Sequence, residues 1–318
     1  MNLFRVSRFI NSTFPLISSL RAMSSNSGNK LRLGVCQINV GKDKNENIIN
    51  ARRALQQACD GGAQLVMLPE CWNSPYSTAS FPVYAEPVPE VGSSVDPVTS
   101  PSAYMIIQSA KETGMWIVGG SVPERETSRD GVQKLFNTCI VVNPQGNVVA
   151  KHRKVHLFDI DVPGRITFKE SDSLTAGNTV TVVDSPWGGI GIGICYDIRF
   201  PELAIIMRQK GANMLLYPGA FNMVTGPAHW ELLQRGRAVD NQCFVATCSP
   251  ARNNIPGEYV AWGHSSIVNP WGEVIQKAAE SQDVIFADLD LNETATMRQN
   301  IPCWQQKRTD LYMTSCPR

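Results

Sequence analysis

From Leu31 to Ile38 (LRLGVCQI) apolar residues alternate, the period of a half-buried strand, and Ile48, Ala51, Leu55 and Ala58 then mark one face of a helix stopped at Gly61-Gly62. An apolar run, Gln64 to Leu68, follows and ends in Pro69-Glu70, so the opening segment reads as strand, helix, strand with parallel pairing. Ser100-Pro101 starts a helix through about Thr113, and Met115 to Ser121 is a strand ending in glycines. Ile190, Ile192 and Ile194 alternate with Gly189, Gly191 and Gly193, which predicts a buried strand with one bulky face and one face bare enough for another layer of backbone. After it Pro201 opens a helix carrying Leu203, Ile206 and Met207, closed near Gly211. A strand Asn213 to Tyr217, a helix from Pro227, a strand Cys243 to Cys248 and a last helix Asn292 to Asn300 complete the pattern.

Two strand pairs share one turn. Leu135 to Val142 and Val148 to His156 flank Asn143 to Asn147, and Ser266 to Asn269 precedes Pro270 to Ile275; both contain V-N-P-x-G-x-V. The repeat predicts two similar halves, each strand, helix, strand and hairpin, arranged as two sheets with helices outside. The segment 71–100, rich in Pro, Ser and aromatics, is too long for a plain connection and reads as the wall of a site; 157–178 reads as loop.

Composition narrows the class. With 318 residues, 43% hydrophobic and 18% charged, the chain is an ordinary globular α/β sequence. A formal charge of +1 without a Lys/Arg cluster argues against nucleic acid, and no run of 18 apolar residues suggests a membrane span. The nine cysteines include no C-x-x-C pair, so neither a disulfide framework nor a zinc site is expected. Residues 1–30 hold Arg5, Arg8, Arg21 and Lys30 and no acid, which reads as a mitochondrial transit peptide directing the chain to the matrix; a disordered tail, or a cytoplasmic form begun at Met23, is the alternative. Removing these four basic residues from the 29 leaves 25 against 28 acids, or −3. Residues 302–318 read as an extended tail able to lie on a partner.

Chemistry gathers at strand ends. Cys195 follows a buried strand and precedes a helix, the place where open α/β sheets build sites; a dinucleotide loop does not fit, because Tyr196 occupies the third glycine position. A thiol nucleophile needs a base and an oxyanion donor. His152 and His156 flank a lysine on a strand, His229 opens a helix and His264 lies in a strand, so no histidine has a distinctive setting. Glu70, at the end of an apolar strand, is the better base, since partial desolvation raises a carboxyl. On KHRKVHLFD, Lys154 shares a face with His152 and His156, while Lys151 and Arg153 take the other; alone this reads as a solvated edge strand with gatekeeping charges.

PECWNSPY (Pro69 to Tyr76), HRKVHLFD (His152 to Asp159) and GICYDIRFPEL (Gly193 to Leu203) resemble, in order, the three catalytic motifs of the nitrilase superfamily, the carbon–nitrogen hydrolases, and the likeness spans about 31–312. It implies a four-layer αββα sandwich of two mixed sheets with pseudo-twofold halves over 31–301, a Glu-Lys-Cys triad falling on Glu70, Lys154 and Cys195, a second acid at Glu170, no cofactor, and a homodimer with the tail as a contact. PECWNSPYST, LFDIDVPGRITFKES, AFNMVTGPAHWELLQ and SPARN are similar to the omega-amidase branch, whose members remove ammonia from 2-oxoglutaramate and 2-oxosuccinamate. An insert at 86–99 departs from the pattern and bears on the entrance. The chemistry expected is attack of Cys195 on an amide, with Glu70 carrying the proton and Lys154 with the Tyr196 N–H holding the oxyanion. Glu170 orients Lys154 or the amide, or is a solvated loop acid. Arg199, four residues past the nucleophile, suits a substrate carboxylate, with a link to Asp197 or Glu202 as its structural alternative; by resemblance Tyr76 and Thr225 complete the clamp. The rivals are a deaminated-glutathione amidase, a nitrilase, and a non-catalytic scaffold.

Overall fold

A computed structural model describes residues 29–316. The first half runs β1 (Lys30–Gln37), α1 (Lys44–Asp60), β2 (Leu65–Met67), the short α2 (Phe81–Tyr84), α3 (Pro101–Thr113), β3 (Trp116–Val118), β4 (Val122–Thr127), β5 (Gln133–Val142) and β6 (Val148–Arg153). A hairpin, β7 (Asp159–Val162) and β8 (Ile166–Lys169), leads to the second half: β9 (Thr181–Ser185), β10 (Gly188–Ile192), α4 (Pro201–Gln209), β11 (Ala212–Pro218), α5 (Thr225–Asn241), β12 (Phe244–Cys248), β13 (Ser266–Val268) and β14 (Val274–Lys277). β15 (Asp283–Asp290) and α6 (Asn292–Asn300) follow.

The strands form two mixed sheets. One has the order β15-β1-β2-β3-β5-β4 with β6 also on β5, and the other is β14-β13-β12-β11-β10-β9. The halves correspond strand by strand. β1, β2 and β3 are parallel and continue antiparallel into β5 and β6, as β10, β11 and β12 continue into β13 and β14. β9 is antiparallel to β10 as β15 is to β1, which completes the pseudo-twofold.

Side-chain parity assembles the layers. Leu31, Leu33 and Val35 on β1, with Leu65, Met67 and Val118, point inward and share a core with Ile190, Ile192 and Ile194. The alternate set, Cys36, Val66, Leu68 and Ile117, faces α1 and α3 through Ala51, Leu55, Ile106 and Ala110. Each buried Leu or Ile contributes roughly 1.5–3 kcal/mol. α4 and α5 cover the opposite sheet with Leu203, Met207 and Trp230, giving four layers, αββα. α1 begins where Asp43 accepts from the N–H groups of Asn45 and Glu46, and α3 ends at Gly114, whose φ of 69° closes the helix.

Several expectations shift. The bare face of β10 takes backbone only at Gly189, where a Cβ would lie 2.5 Å from the Gly211 carbonyl; at Gly191 the neighbours are Leu215 and Met207 side chains, so a helix covers this face. β6 stops at Arg153, three residues before His156. α5 starts at Thr225 rather than Pro227, and His264, with φ 56°, precedes β13 instead of lying in it. The segment 157–178 is not all loop, since it holds the β7–β8 hairpin. From Pro302 the chain runs beside α4: Trp304 stacks on Arg208, and Gln209 donates to the Thr314 carbonyl. No helix among the described residues is long and apolar enough to cross a membrane. The transit-peptide reading of 1–30 falls almost wholly outside the described residues.

Candidate active site

Three strand ends deliver three side chains to one buried spot. β2 runs into Glu70, β6 into Lys154, and β10 into Cys195; Glu70 is fully buried, Lys154 and Cys195 nearly so. Lys154 stays in the pattern of its strand, since its N–H donates to the Asn137 carbonyl (2.8 Å) and its side chain follows Ala150 and His152 inward. Its ammonium lies 2.9 Å from Glu70 Oε1 and 2.9 Å from Glu170 Oε2. Glu170 is therefore no solvated loop acid: it is fully buried, and it also accepts from the Phe158 N–H at 2.7 Å.

Glu70 is held at both oxygens. Oε1 accepts from Lys154 Nζ (2.9 Å) and Asn137 Nδ2 (2.9 Å), and Oε2 accepts from the Ala220 N–H (2.8 Å). The Tyr76 hydroxyl stands 3.4 Å from Glu70 and 3.3 Å from Glu170, one proton for two acceptors. Burial raises the Glu70 carboxyl, and Lys154 offsets part of that rise. Burial alone would lower the Lys154 ammonium, yet the charges of Glu170 and Glu70 hold it well above its ordinary value. Burial and then the Glu70 charge push the Cys195 thiol well up. The thiol, pushed up, keeps its proton more readily, the lysine keeps its charge, and Glu70 lies against both, which suits proton transfer to the base during attack.

Cys195 has φ 49°, and Cys71, next to Glu70, has φ 47°. A non-glycine residue in this region costs on the order of 1–3 kcal/mol, and two of them beside one cluster mark a site whose surroundings enforce the geometry. The enforcement at Cys195 comes from Asp197. Its fully buried carboxylate accepts from the Ile194 N–H (2.9 Å), the His156 N–H (2.9 Å), His156 Nδ1 (2.8 Å) and His152 Nε2 (3.3 Å). The turn Cys195–Arg199 is thereby tied to the end of β6, and with it the thiol to the ammonium. The sequence reading gave these histidines no setting; they position the nucleophile turn. Lys151 and Arg153, on the opposite face, are likewise not free gatekeepers, because both pair with buried Glu124 at 2.6 Å.

Arg199 does not link to Asp197 or Glu202. Its Nη1 lies 3.2 Å from His229 Nδ1, its guanidinium sits over the Phe221 ring (4.8 Å) and the Tyr196 ring (5.5 Å), and its buried Nε has no partner among the described residues. Burial lowers its pKa. Thr225 is buried at the start of α5, its hydroxyl 3.3 Å from Asn222 Oδ1. Tyr76 joins the acid–lysine cluster, and no contact to Arg199 is present among the described residues. The Tyr196 N–H opens the turn after the nucleophile, where helical N–H groups have no partner within the turn. A cavity of about 280 Å³ reaches Glu70, Tyr76, Ala220 and Tyr259, and its walls come from 74–84 and 250–261; residues 86–99 are not among them, so the insert lies away from this opening. Instead Glu86 is buried against the start of α3, accepting from the Ser102 and Ala103 N–H groups.

Residues 32–299 match the family model described as carbon-nitrogen hydrolase. The chain is 52% identical over 281 residues to Omega-amidase NIT2 of Bos taurus, covering 88% of this chain and 96% of that one. It is 53% identical over 283 residues to the chloroplastic omega-amidase of Arabidopsis thaliana, covering 89% and 74%. The crystal structure of Saccharomyces cerevisiae Nit3, a member of branch 10 of the nitrilase superfamily, superposes with a TM-score of 0.79 at 39% identity, over 90% of this chain and 100% of that one.

Proposed function

This chain belongs to the carbon–nitrogen hydrolase family, and from that premise we propose that Cys195, Glu70 and Lys154 carry out its amide hydrolysis, with Arg199 choosing the substrate. The protein is a hydrolase acting on carbon–nitrogen bonds of linear amides, an omega-amidase that converts monoamides of 2-oxo dicarboxylic acids to the 2-oxo acid and ammonia. In the proposed course Glu70 takes the thiol proton as sulfur attacks the amide carbon. The oxyanion forms against Lys154 Nζ and the Tyr196 N–H, and collapse expels ammonia with the proton returned by Glu70. Water then gives a proton to Glu70 and its oxygen to the thioester carbon, and the thiolate leaves and is reprotonated. Glu170 holds Lys154 charged, and Tyr76 shares the acids' proton network.

The observation that carries the substrate choice is Arg199, a partly buried guanidinium whose Nε has no partner and which has no acidic neighbour among the described residues. A desolvated cation without a counter-charge is costly unless a ligand supplies one. The free carboxylate of a dicarboxylate monoamide does so; a simple amide or a nitrile without a carboxylate does not. Thr225 stands as a further donor to it. Ammonia release from 2-oxosuccinamate, deaminated glutathione and propanamide, by the wild type and Arg199→Met, tests this. Each charge-assisted bond lost is worth about 1.5–3 kcal/mol, so kcat/KM for 2-oxosuccinamate should fall roughly 10- to 150-fold per bond while propanamide loses little. An equal fall for both would make Arg199 a support of the turn only.

Delivery to the mitochondrial matrix and a homodimer belong to the same reading. The acid-free, arginine-bearing 1–30 supports the first. Exposed Leu311, Tyr312 and Met313, with Leu232 and Val239 on α5, support the second.

A further inference from the structure

The cavity beside Glu70 has no part in the chemistry described so far. Its wall includes Glu70, Tyr76, Ala220 and Tyr259, and runs out to Lys42, but neither Cys195 nor Arg199 is among the described residues that form it. Its 280 Å³ is far above the roughly 10–15 Å³ that one water needs, and serine and tyrosine hydroxyls supply polar partners. The two tyrosine rings lie 4.6 Å apart, and the Tyr259 hydroxyl donates to the carbonyl of Ala220, the same residue whose N–H holds Glu70. Glu70 thus touches both the cavity and the thiol, with Ala220 and the tyrosine pair beside it.

Glu70 is asymmetric toward this space. Oε1 is occupied by Lys154 and Asn137, with Tyr76 nearby, and Oε2 accepts from the N–H of Ala220, a residue of the cavity wall, while the Cys195 thiol bonds to the same carboxylate. A carboxylate offers about four acceptor positions, and the one held by the thiol is vacated when sulfur is acylated, so Glu70 can then take a water. The reaction requires such a place. Once the thioester has formed, the acyl chain extends from Cys195 toward Arg199 and fills that approach, and ammonia must still leave and water must still reach Glu70.

We propose that the cavity between Tyr76 and Tyr259 is a separate route for small molecules, by which ammonia leaves Glu70 and the hydrolytic water arrives while the acyl chain stays clamped. The step balances without a further reactant: the amide nitrogen departs as ammonia through the cavity, and the water that replaces it gives one proton to Glu70 and its oxygen to the thioester carbon. The inference rests on the thioester reading given above.

Asn253, on the loop side of the wall, has no side-chain hydrogen bond among the described residues, so Asn253→Trp narrows the cavity without breaking one, and Asn253→Ala is the control; Ser77→Phe narrows it from the opposite wall. The assay is steady-state kinetics on 2-oxosuccinamate with acid quench and intact-mass detection of the adduct on Cys195. In both narrowed variants kcat should fall by about tenfold with the acylated fraction raised at saturating substrate, and kcat/KM should fall only as far as ammonia release is slowed. Asn253→Ala should behave as wild type. A lower kcat/KM with no adduct would make the cavity the substrate's own approach and overturn the inference, as would unchanged kinetics in both narrowed variants that still fold. If Cys195→Ala keeps turnover, it is the thioester reading that fails.

Discussion

Asp197→Asn removes a charge while keeping shape, at a residue that touches no substrate in the proposed reaction. Four donors converge on the carboxylate: two backbone N–H groups and two imidazole nitrogens, at 2.8–3.3 Å. An amide offers only one acceptor oxygen. Placing that oxygen at the Oδ1 position keeps the His156 N–H and Nδ1 bonds and turns the NH₂ toward Ile194 N and His152 Nε2. His152 can adapt by exchanging tautomers, because its Nδ1 faces the Thr181 hydroxyl, which both donates and accepts. The Ile194 N–H cannot adapt. A bond to a charged acceptor is worth about 1.5–3 kcal/mol, and a buried donor left unpaired costs about 1–3 kcal/mol, so the loss should be roughly 2–4 kcal/mol. For a domain of this size that lowers Tm by roughly 3–7 °C. Because Ile194 precedes the nucleophile, kcat/KM should fall with it, and KM alone should not account for the loss. Acid should close the gap. Burial alone would raise the Asp197 carboxyl, yet His152, His156 and the Ile194 N–H hold it far below its ordinary value. Its contribution is thus fully present above the unfolded pKa of about 3.9 and is lost as pH falls through the folded one. Differential scanning fluorimetry from pH 7 down to pH 3 should show the wild type losing its advantage over Asp197→Asn below about pH 4. A variant that melts within 1 °C of wild type at pH 7 and keeps its kcat/KM would refute the view that this carboxylate sets the turn.

Lys154→Arg keeps the charge but brings a planar fork to a site where one ammonium bridges two carboxylates at 2.9 Å each, so turnover should fall at least about a hundredfold; near-normal kcat would reduce Lys154 to a diffuse electrostatic role. With its thiol pushed up by burial and by Glu70, Cys195 should react with a methanethiolsulfonate reagent ever faster as pH rises, without levelling off below about pH 9. Peptide mass mapping separates it from the exposed Cys303 and Cys316, and a plateau near neutrality would instead indicate a stable thiolate.

Much of this was readable because one face of each central strand is buried. Alternation located β1 and β10, and the shared V-N-P-x-G-x-V turn located the β5–β6 and β13–β14 hairpins and, through them, the twofold. Glu70 and Cys195 were legible as ends of apolar strands, whereas Lys154 was reached through the motif resemblance, its own strand reading as a solvated edge. β4 escaped because its polar residues are structural: Glu124 is buried under Thr138, Lys151 and Arg153, a burial that no hydrophobic pattern reveals. β15 was missed although DVIFADLD carries an alternating stretch, with Ile285, Ala287 and Leu289 in the inter-sheet core. The Asp197 network joins residues 41–45 positions apart, and the hold of Ala220 on Glu70 is a backbone N–H; neither carries a residue-type signal, since an Asp two after a Cys and a plain Ala look like nothing in particular.

The antiparallel pairing of β1 with β15 joins Lys30 to Asp290 and Gln37 to Asp283. During synthesis β1 can pair with β2 early, but the ribosome must complete almost the entire chain before the other edge of β1 finds β15. Closing so long a loop is slow, and until then β1 presents an open edge to any other nascent chain. Truncation before Asp283 should accordingly yield not a smaller enzyme but an aggregating one, and the demand for chaperone protection should last until the final strand emerges from the exit tunnel.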